Sequence, residues 1–394
     1  ARRRAGEPWH TSADERWKAM PSGKIDSNGV PFALGEKGAN RYVALGQTNP
    51  SAAIGLTGKA RYICVLHFCD AFPRTRTIPA DGDTLAAVKE RGEVICGVNG
   101  GLPGMSVLNN ETGIFEGMDG DYCRGVAAAI FGDDSKVTFT TLTADQRATA
   151  VQGGEIDVLF RNTTQTFTRD ATWGDFGPVI LYDGQGIMVR VADEISSLED
   201  LNGATICVTS GTTTEQNLAD QMTWLGIEYN PVVAAEIDTV YTSYEEGRCD
   251  AVTSDRSQLA GRRSATADPS AHVILDETIS KEPLAPLTAH GDTNWNDIIS
   301  WVVYATIEAE ELGITSENIG EFAGSANPVI ARFLGETGEL GSALGLENDF
   351  VVDVISAIGN YGEIYDRAFG PDSGVELPRE DGPNAHWTDG GLMY

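Results

Sequence analysis

The sequence predicts an α/β fold made of two units, with the second unit inserted into the first. Strand-like and helix-like segments alternate from Asp83 onward, which is typical of parallel βαβ units. The alternation restarts after residue 191, and the chain beyond residue 282 is mostly helical. We therefore expect the tail helices to return and cover the first unit.

The first unit contains helices and strands with clear end signals. Gly92 and Gly132 end its first two helices, and Thr143 with Gln146 predicts a capping box at the start of the third. In chain order the segments are helix DTLAAVKERG, strand EVICGVN (93–99), helix DGDYCRGVAAAIFG, strand KVTFTTL (136–142), helix TADQRATAVQGG and strand IDVLF (156–160).

The second unit repeats the pattern after YDGQGIMVRV (182–191). Its segments are the short helix SLEDLNG, strand TICVTS (205–210), helix TTTEQNLADQMTWLG, strand YNPVVAA, helix TVYTSYEEGRC, strand DAVTSD (250–255), helix SQLAGRRSA and strand HVILDE (272–277). We expect HVILDE to lead back to the first unit, where the long helix NWNDIISWVVYATIEAEELG follows.

Composition and charge exclude some classes of function. The 394 residues are 41% hydrophobic and 22% charged, as in an ordinary globular protein. The formal net charge is −30, and the acidic excess lies beyond residue 82, which argues against a nucleic-acid partner. No apolar run approaches the roughly 20 residues of a membrane-spanning helix.

Residues 1–82 differ from the rest. The segment begins with basic residues but lacks the apolar core of about 7–15 residues that a secretory signal peptide contains. We expect it to be poorly ordered or foreign to the domain. Cys64, His67 and Cys69 are a weak metal-ligand pattern, since no second cluster accompanies them. We expect no metal and no cofactor.

Several stretches together resemble one family. They are VICGVNGGLPG, YCRGVAAAIFGD, RNTT, YDGQG, SGTTTE, GRCDA, ISKEPL, GNYGEIY and GGLMY. In order and spacing over 83–394 they are similar to the periplasmic substrate-binding proteins of polar amino-acid ABC importers, bacterial extracellular solute-binding protein family 3. The types that they resemble most serve general L-amino-acid uptake and glutamate, glutamine, aspartate and asparagine uptake. The family normally begins with a cleaved signal peptide, which we expect to be missing here.

The resemblance implies a two-lobed type II periplasmic-binding-protein fold with a ligand cleft between the lobes. Residues 83–186 and 282–394 would form lobe 1, and 187–281 would form the inserted lobe 2. It also implies a monomer in the periplasm that binds an L-amino acid, delivers it to the membrane permease of an ABC importer and performs no catalysis.

Site residues follow from the family's motifs. Arg169 matches the arginine that binds the ligand's carboxylate, a role that suits its planar fork of donors. Asn162 and Thr164 match the segment that faces the ligand. By composition alone RNTTQTFTR (161–169) favours a threonine-rich surface turn. Arg161 has two interpretations, a contact to the ligand's side chain or a surface ion pair.

The second lobe supplies the remaining ligand groups. Thr213, with Thr212 beside it, matches the helix N-terminus that completes the carboxylate site; the alternative is that Thr212 only caps the helix. Asp255 matches the aspartate that binds the ammonium group, whereas its competitor Asp250 lies at the strand's start. Arg169, Thr213 and Asp255 all follow the carboxyl ends of predicted strands, where ligands of open α/β sheets bind.

Weaker assignments concern a turn, a glycine and the cysteines. Gly184 and Gln185 border the ligand or form a plain turn. Gly120 stands where the family has a packing residue, so we expect a local loss of stability. The family implies a disulfide between Cys207 and Cys249, and Cys96 with Cys123 could form a pair in lobe 1; free thiols are the alternative.

Two further functions remain open. One is a cyclohexadienyl dehydratase, an enzyme with this fold. Such an enzyme needs a general acid or base in the cleft. The predicted cleft residues include no histidine and no pair of a nucleophile with a base. The ligand-binding domain of an amino-acid receptor is the other alternative. The sequence does not determine which amino acid binds, although Arg161 or Lys281 could contact an acidic or amide side chain.

Overall fold

The computed structural model describes residues 83–380 and 382–394, together with the backbone of three short strands nearer the start. The chain divides into two compact units, Ala1–Thr77 and Ile78–Tyr394. In the first unit, β1 (Gly35–Lys37), β2 (Asn40–Tyr42) and β3 (Gly55–Thr57) form an antiparallel sheet that the sequence did not predict. Cys64, His67 and Cys69 lie outside the described residues.

The second unit contains the predicted alternation. Its helices are α1 (Asp83–Arg91), α2 (Met118–Phe131), α3 (Arg147–Gly153), α4 (Phe167–Thr172), α5 (Thr213–Leu225), α6 (Ile237–Glu245), α7 (Arg256–Ser264), α8 (Thr293–Glu311), α9 (Pro328–Phe333), α10 (Leu340–Leu344), α11 (Phe350–Ile358) and α12 (Tyr361–Phe369). Its strands are β4 (Val94–Val98), β5 (Gly101–Leu102), β6 (Ser106–Leu108), β7 (Phe115–Glu116), β8 (Val137–Thr141), β9 (Val158–Leu159), β10 (Asp175–Phe176), β11 (Leu181–Arg190), β12 (Thr205–Thr209), β13 (Asn230–Ala234), β14 (Ala251–Asp255), β15 (His272–Ile274), β16 (Ser280–Leu284) and β17 (Leu287–Thr288).

The first lobe is built on a five-stranded sheet in the order β10-β17-β9-β4-β8. β4 is parallel to β8 and β9, as the alternation predicted. At one edge β17 pairs antiparallel with β9, and β10 pairs antiparallel with β17. Helices α2, α8, α11 and α12 cover this sheet and bury the largest apolar cluster of the described residues. The tail helices therefore share one apolar core with this sheet.

The second lobe is built on the order β13-β12-β14-β11-β15, with β16 also paired to β11. β12 is parallel to β13 and β14, whereas β11 is antiparallel to its neighbours. The predicted strand HVILDE contains β15, which pairs with β11 inside the second sheet. The chain then passes back to the first lobe through the next strand, β16.

β11 and β16 form the crossing ribbon, an antiparallel pair that passes from one lobe to the other. Leu181 pairs with Leu284 at one end and Gln185 with Ser280 at the other. Leu181 and Leu284 belong to the core of the first lobe, whereas Ile187 belongs to that of the second. Two adjacent strands thus connect two separate cores.

Both expected cysteine pairs form disulfides. Cys96 on β4 bonds Cys123 on α2, with the Cα atoms 5.9 Å apart. Cys207 on β12 bonds Cys249 just before β14, with the Cα atoms 5.7 Å apart. No cysteine among the described residues is free, so the free-thiol alternative is wrong for these four.

A small hairpin sheet, β5-β6-β7, was not predicted, and it explains Gly120. A Cβ atom at Gly120 would lie 2.4 Å from the carbonyl oxygen of Phe115 on β7. Glycine is therefore required here for the close approach of α2 to the hairpin. The expectation that Gly120 weakens the local packing is wrong.

No helix in the described part of the chain is long and apolar enough to cross a membrane.

Candidate functional site

A cavity lies between the two lobes. The first lobe contributes residues around the end of β9 and the start of α4, and the second contributes the ends of β12 and β14 with the start of α5. The lining residues are Arg147, Arg161, Asn162, Thr164, Arg169, Thr209, Thr212, Thr213, Thr214, Ile237, Ser254, Asp255 and Gln258.

Arg169 projects from α4 into this cavity and is 6% exposed. Its Nη1 donates to the carbonyl oxygen of Thr164 at 3.0 Å, and its guanidinium carbon lies 4.6 Å from the ring centre of Trp173. Burial lowers its pKa to about 10, against the opposing charges of Glu282 and Asp255. The side chain is therefore fixed in position and positively charged at neutral pH.

Two further buried arginines line the same cavity. Arg161 donates through Nε to the carbonyl oxygen of Leu142 at 3.1 Å, and burial lowers its pKa to about 10. Arg147 donates to Thr163, and burial together with the neighbouring arginines lowers its pKa well below the usual value. Arg161 is buried, so its interpretation as a surface ion pair is wrong.

Asp255 faces these cations from the last position of β14. It is 5% exposed, and burial raises its pKa, with Asp183 and Glu282 adding further negative charge nearby. Asp250, at the other end of the same segment, binds the backbone N–H of Thr205 with its Oδ2 atom at 2.7 Å and does not line the cavity.

Asn162 links the two lobes across the cavity. Its Nδ2 lies 3.3 Å from Oδ2 of Asp255 and 3.3 Å from Oε1 of Gln258, both in the second lobe. Its backbone has a φ of 29°, a left-handed value that non-glycine residues rarely adopt. Its backbone N–H donates to Oδ2 of the buried Asp119 at 2.9 Å, which helps to hold this conformation.

Thr164 and Thr213 meet at one boundary of the cavity, with their hydroxyl oxygens 3.3 Å apart. Both hydroxyls lie within hydrogen-bond distance of Oε2 of Glu282, at 2.6 and 2.7 Å. Glu282 was not predicted as a site residue, although it lies inside the quoted motif ISKEPL.

Thr212 caps helix α5. Its hydroxyl accepts the N–H of Glu215 at 3.0 Å and donates to the carbonyl oxygen of Thr209 at 2.7 Å. The side chain of Thr212 therefore caps the helix, as one of the two interpretations expected. The residue also lines the cavity.

Gly184 and Gln185 lie on the crossing ribbon and do not line this cavity. Gln185 is fully buried and donates to the carbonyl oxygen of Thr214 and to Oγ1 of Thr253, each at 2.9 Å. A Cβ atom at Gly184 would lie 2.4 Å from Thr278. Both residues fix the packing of β11 behind the site.

Metal chemistry finds no support in the described part of the chain, where no group of three His, Cys, Asp or Glu side chains is placed to hold a metal ion. The histidines there make other contacts. His290 bonds Asp175 at 2.6 Å, His272 bonds Tyr244, and His386 bonds Thr388.

Sequence reasoning did not name several functional candidates, among them Arg147, Thr214, Ser254, Gln258 and Glu282. Ser254 directly precedes the predicted Asp255, so the end of that strand was an available signal. Arg147 carried none, because an arginine in the first turn of a helix is normally solvated.

A comparison with protein families decides which family the chain belongs to. The model of the bacterial extracellular solute-binding proteins, family 3, matches residues 94–318. This protein belongs to that family. The general L-amino acid-binding periplasmic protein AapJ of Rhizobium johnstonii is 48% identical over 318 residues, which cover 80% of this chain and 92% of AapJ.

Other relatives agree with this assignment. The glutamate/glutamine/aspartate/asparagine-binding protein BztA of Rhodobacter capsulatus is 47% identical over 317 residues, which cover 80% of this chain and 93% of BztA. A solved periplasmic binding protein of an ABC transporter from Brucella ovis, with glutathione bound, superposes with a TM-score of 0.76 at 48% identity. The match covers 79% of this chain and 98% of that protein, and the two-lobed fold of the family is therefore that of this chain.

Proposed function

We propose that this protein binds an L-amino acid in the periplasm and delivers it to the permease of an ABC importer. The observation that carries the proposal is a buried guanidinium, that of Arg169, and a buried carboxyl group, that of Asp255, which line one cavity from different lobes. A free amino acid carries one negative and one positive group on a single carbon. These two side chains match it, because a bound ammonium group favours the ionised form of Asp255. The relatives named as amino-acid-binding periplasmic proteins support the same function.

The ligand's carboxylate would be held by Arg169 and by the N-terminus of α5. Guanidinium and carboxylate form strong charge-assisted hydrogen bonds, and the first N–H groups of a helix attract an anion. Thr213 and Thr214 begin that helix and line the cavity. The ammonium group would be held by Asp255.

The lobes that close on the ligand comprise 83–186 with 282–394, and 187–281. Two observations support these boundaries: the two sheets have separate cores, and the crossing ribbon joins them. A ligand that contacts both lobes only when they are closed stabilises the closed form by that difference in affinity. The closed form would then dock on the permease as a monomer.

An acidic or amide side chain fits the remaining charges best. Arg147 and Arg161 add two buried guanidiniums to the cavity, whereas Asp255 is the single carboxylate among the lining residues. A second carboxylate or an amide oxygen on the ligand would accept from one of them. Lys281, the other donor considered, does not line this cavity.

Calorimetric titration with the twenty L-amino acids tests the proposal. We expect binding of glutamate or aspartate by the wild-type protein, and its loss in Asp255→Asn, which removes the charge that meets the ammonium group. Asp250→Asn is the matched control, since it changes an aspartate of the same segment outside the cavity. Failure of every amino acid to bind, or equal binding of an amino acid and its deaminated analogue, would remove the proposed function.

We further propose that the protein performs no catalysis on this ligand. The relatives are named as binding proteins, and the histidines described above do not line the cavity. Incubation with prephenate or arogenate followed by NMR tests the dehydratase alternative. Formation of a dehydrated product would support an enzyme.

A further inference from the structure

A buried carboxylate, Glu282, lies on the crossing ribbon at the edge of the cavity. It belongs to β16 and is 1% exposed. Its Oε2 atom lies 2.6 Å from Oγ1 of Thr164 and 2.7 Å from Oγ1 of Thr213. Its Oε1 atom accepts from Nδ2 of Asn217 at 2.8 Å and from Oγ of Ser280 at 2.5 Å. Every oxygen of this carboxylate is thus occupied by protein donors.

The donors come from both lobes. Thr164 follows β9 and forms an isolated bridge with Leu284, so that it belongs to the first lobe. Thr213 and Asn217 lie on α5, in the second lobe. Glu282 is therefore a single anion through which the two walls of the cavity are joined, in addition to the direct contact of 3.3 Å between the two threonine hydroxyls.

The hydroxyl protons of Thr164 and Thr213 are used by Glu282, which limits what these threonines can donate to a ligand. A hydroxyl carries one proton and can donate one full hydrogen bond, whereas an ionised carboxylate can only accept. The protons of Thr164 and Thr213 that point to Glu282 are not available to the ligand's carboxylate. That carboxylate must instead be held by Arg169 and the backbone N–H groups of α5. Glu282 thus acts through the threonines and not by contact with the ligand.

We propose that Glu282 is a positioning residue that holds the ligand cavity closed by joining Thr164 of one lobe to Thr213 and Asn217 of the other. This inference rests on the proposed function, because it concerns closure over the same ligand. Hydrogen bonds to a charged acceptor are stronger than those between neutral groups, and the carboxyl group of Glu282 is itself buried, at 1% exposure. A glutamine at this position keeps the shape but turns an N–H₂ group toward donors, so that some of these bonds are lost.

The test measures affinity and dissociation rate for Glu282→Gln. We expect at least a tenfold weaker Kd, produced mainly by faster dissociation, since the closed form loses contacts that the open form does not make. The factor by which Kd increases should be the same for ligands with different side chains. It should also be the same for the deaminated analogue of the preferred amino acid. A uniform factor separates a positioning residue from one that contacts the ligand.

Asn217→Ala provides a second, independent variant. It removes one donor to Glu282 without changing any residue that lines the cavity. We expect this variant to weaken the affinity for the ligand by a smaller factor than Glu282→Gln. In the double variant, the factor by which Kd increases should be well below the product of the factors of the two single variants. This variant also carries the test if Glu282→Gln does not fold.

Glu363→Gln is the matched control. Glu363 is another hydrogen-bonded carboxylate, which accepts from the backbone N–H groups of Asn360 and Ser316 far from the cavity. It should lower stability without changing Kd. Unchanged affinity in Glu282→Gln, or a factor that differs between ligands, would overturn the inference while leaving amino-acid binding by the wild type intact. An absence of binding in the wild type would instead remove the proposed function itself.

Discussion

At the scale of single residues, the site depends on charges that have been removed from water. Arg147, Arg161 and Arg169 are all buried, and burial lowers the pKa of each, because a charged group is less stable away from water. A buried charge is tolerated when opposite charges and hydrogen bonds compensate for the lost hydration. Asp255 and Glu282 supply part of that compensation, and the carboxylate of a ligand would add to it.

Arg169→Ala should weaken amino-acid binding by roughly 2–5 kcal/mol, because the ligand's buried carboxylate loses its charged partner. Arg169→Lys should recover only part of the loss, since an ammonium group lacks the planar pair of donors. Calorimetry at constant ionic strength measures both. Arg248→Ala, which removes a largely exposed arginine paired with Glu246, is the control. An unchanged Kd in Arg169→Ala would exclude this residue from the site.

Sequence reasoning named Arg169 and Asp255 because the resemblance to the family implied both, and their predicted positions at the carboxyl ends of strands agreed with it. It did not locate Glu282 or Arg147. A glutamate on a strand and an arginine at the start of a helix are normally solvated, and only the fold reveals that these two are buried. Their burial depends on contacts between lobes that are distant in sequence.

At the scale of elements, the helices were predicted better than the short strands. The long apolar periods of α2 and α8 and the glycines that end helices are local signals. Strands of two or three residues, such as β5, β7 and β17, are too short to show an alternating pattern. The hairpin next to Gly120 was not predicted for this reason. Without the hairpin, the sequence could not show why a glycine is needed at that position.

Two glycine substitutions should therefore have opposite effects. Gly120→Ala should lower the free energy of unfolding, because the added Cβ would lie 2.4 Å from a backbone oxygen and the hairpin or α2 must move. Gly153→Ala, at the end of α3, has no atom within 4 Å of the added Cβ and should raise stability by about 0.4–1 kcal/mol. Urea unfolding of both variants measures the difference. Stabilisation by Gly120→Ala would contradict the close approach.

At the scale of the whole molecule, two lobes meet over an interface with several buried carboxyl groups. The insertion of one lobe into the other was predicted from the restart of the alternation. The crossing ribbon was not, because the pairing of β11 with β16 joins segments about a hundred residues apart and follows from no local pattern. Burial raises the pKa of Asp183 and Asp255 at this interface, and that of Asp119 to about 7.

The raised pKa of Asp119 predicts that the contribution of this residue to stability falls as pH rises from about 4 toward 7. Between its usual pKa of 3.8 and the folded value of about 7, Asp119 is protonated in the native state and ionised in the unfolded state. The native state then binds more protons, so that raising the pH favours unfolding. A pKa unit corresponds to about 1.4 kcal/mol, which gives an upper limit of about 4 kcal/mol for this residue.

Asp119→Asn isolates this contribution, because the amide has no charge to lose or gain. We expect the free energy of unfolding of the variant, measured in urea at several pH values from 4.5 to 8, to depend less steeply on pH than that of the wild type. As pH rises, the free energy of unfolding of the variant should increase relative to that of the wild type. Asp220→Asn, an exposed aspartate on α5, should leave the wild-type slope unchanged. Parallel curves for Asp119→Asn and the wild type would show that Asp119 titrates alike in the folded and unfolded chains, and the burial of its carboxyl group would then have no effect on the pH dependence of stability.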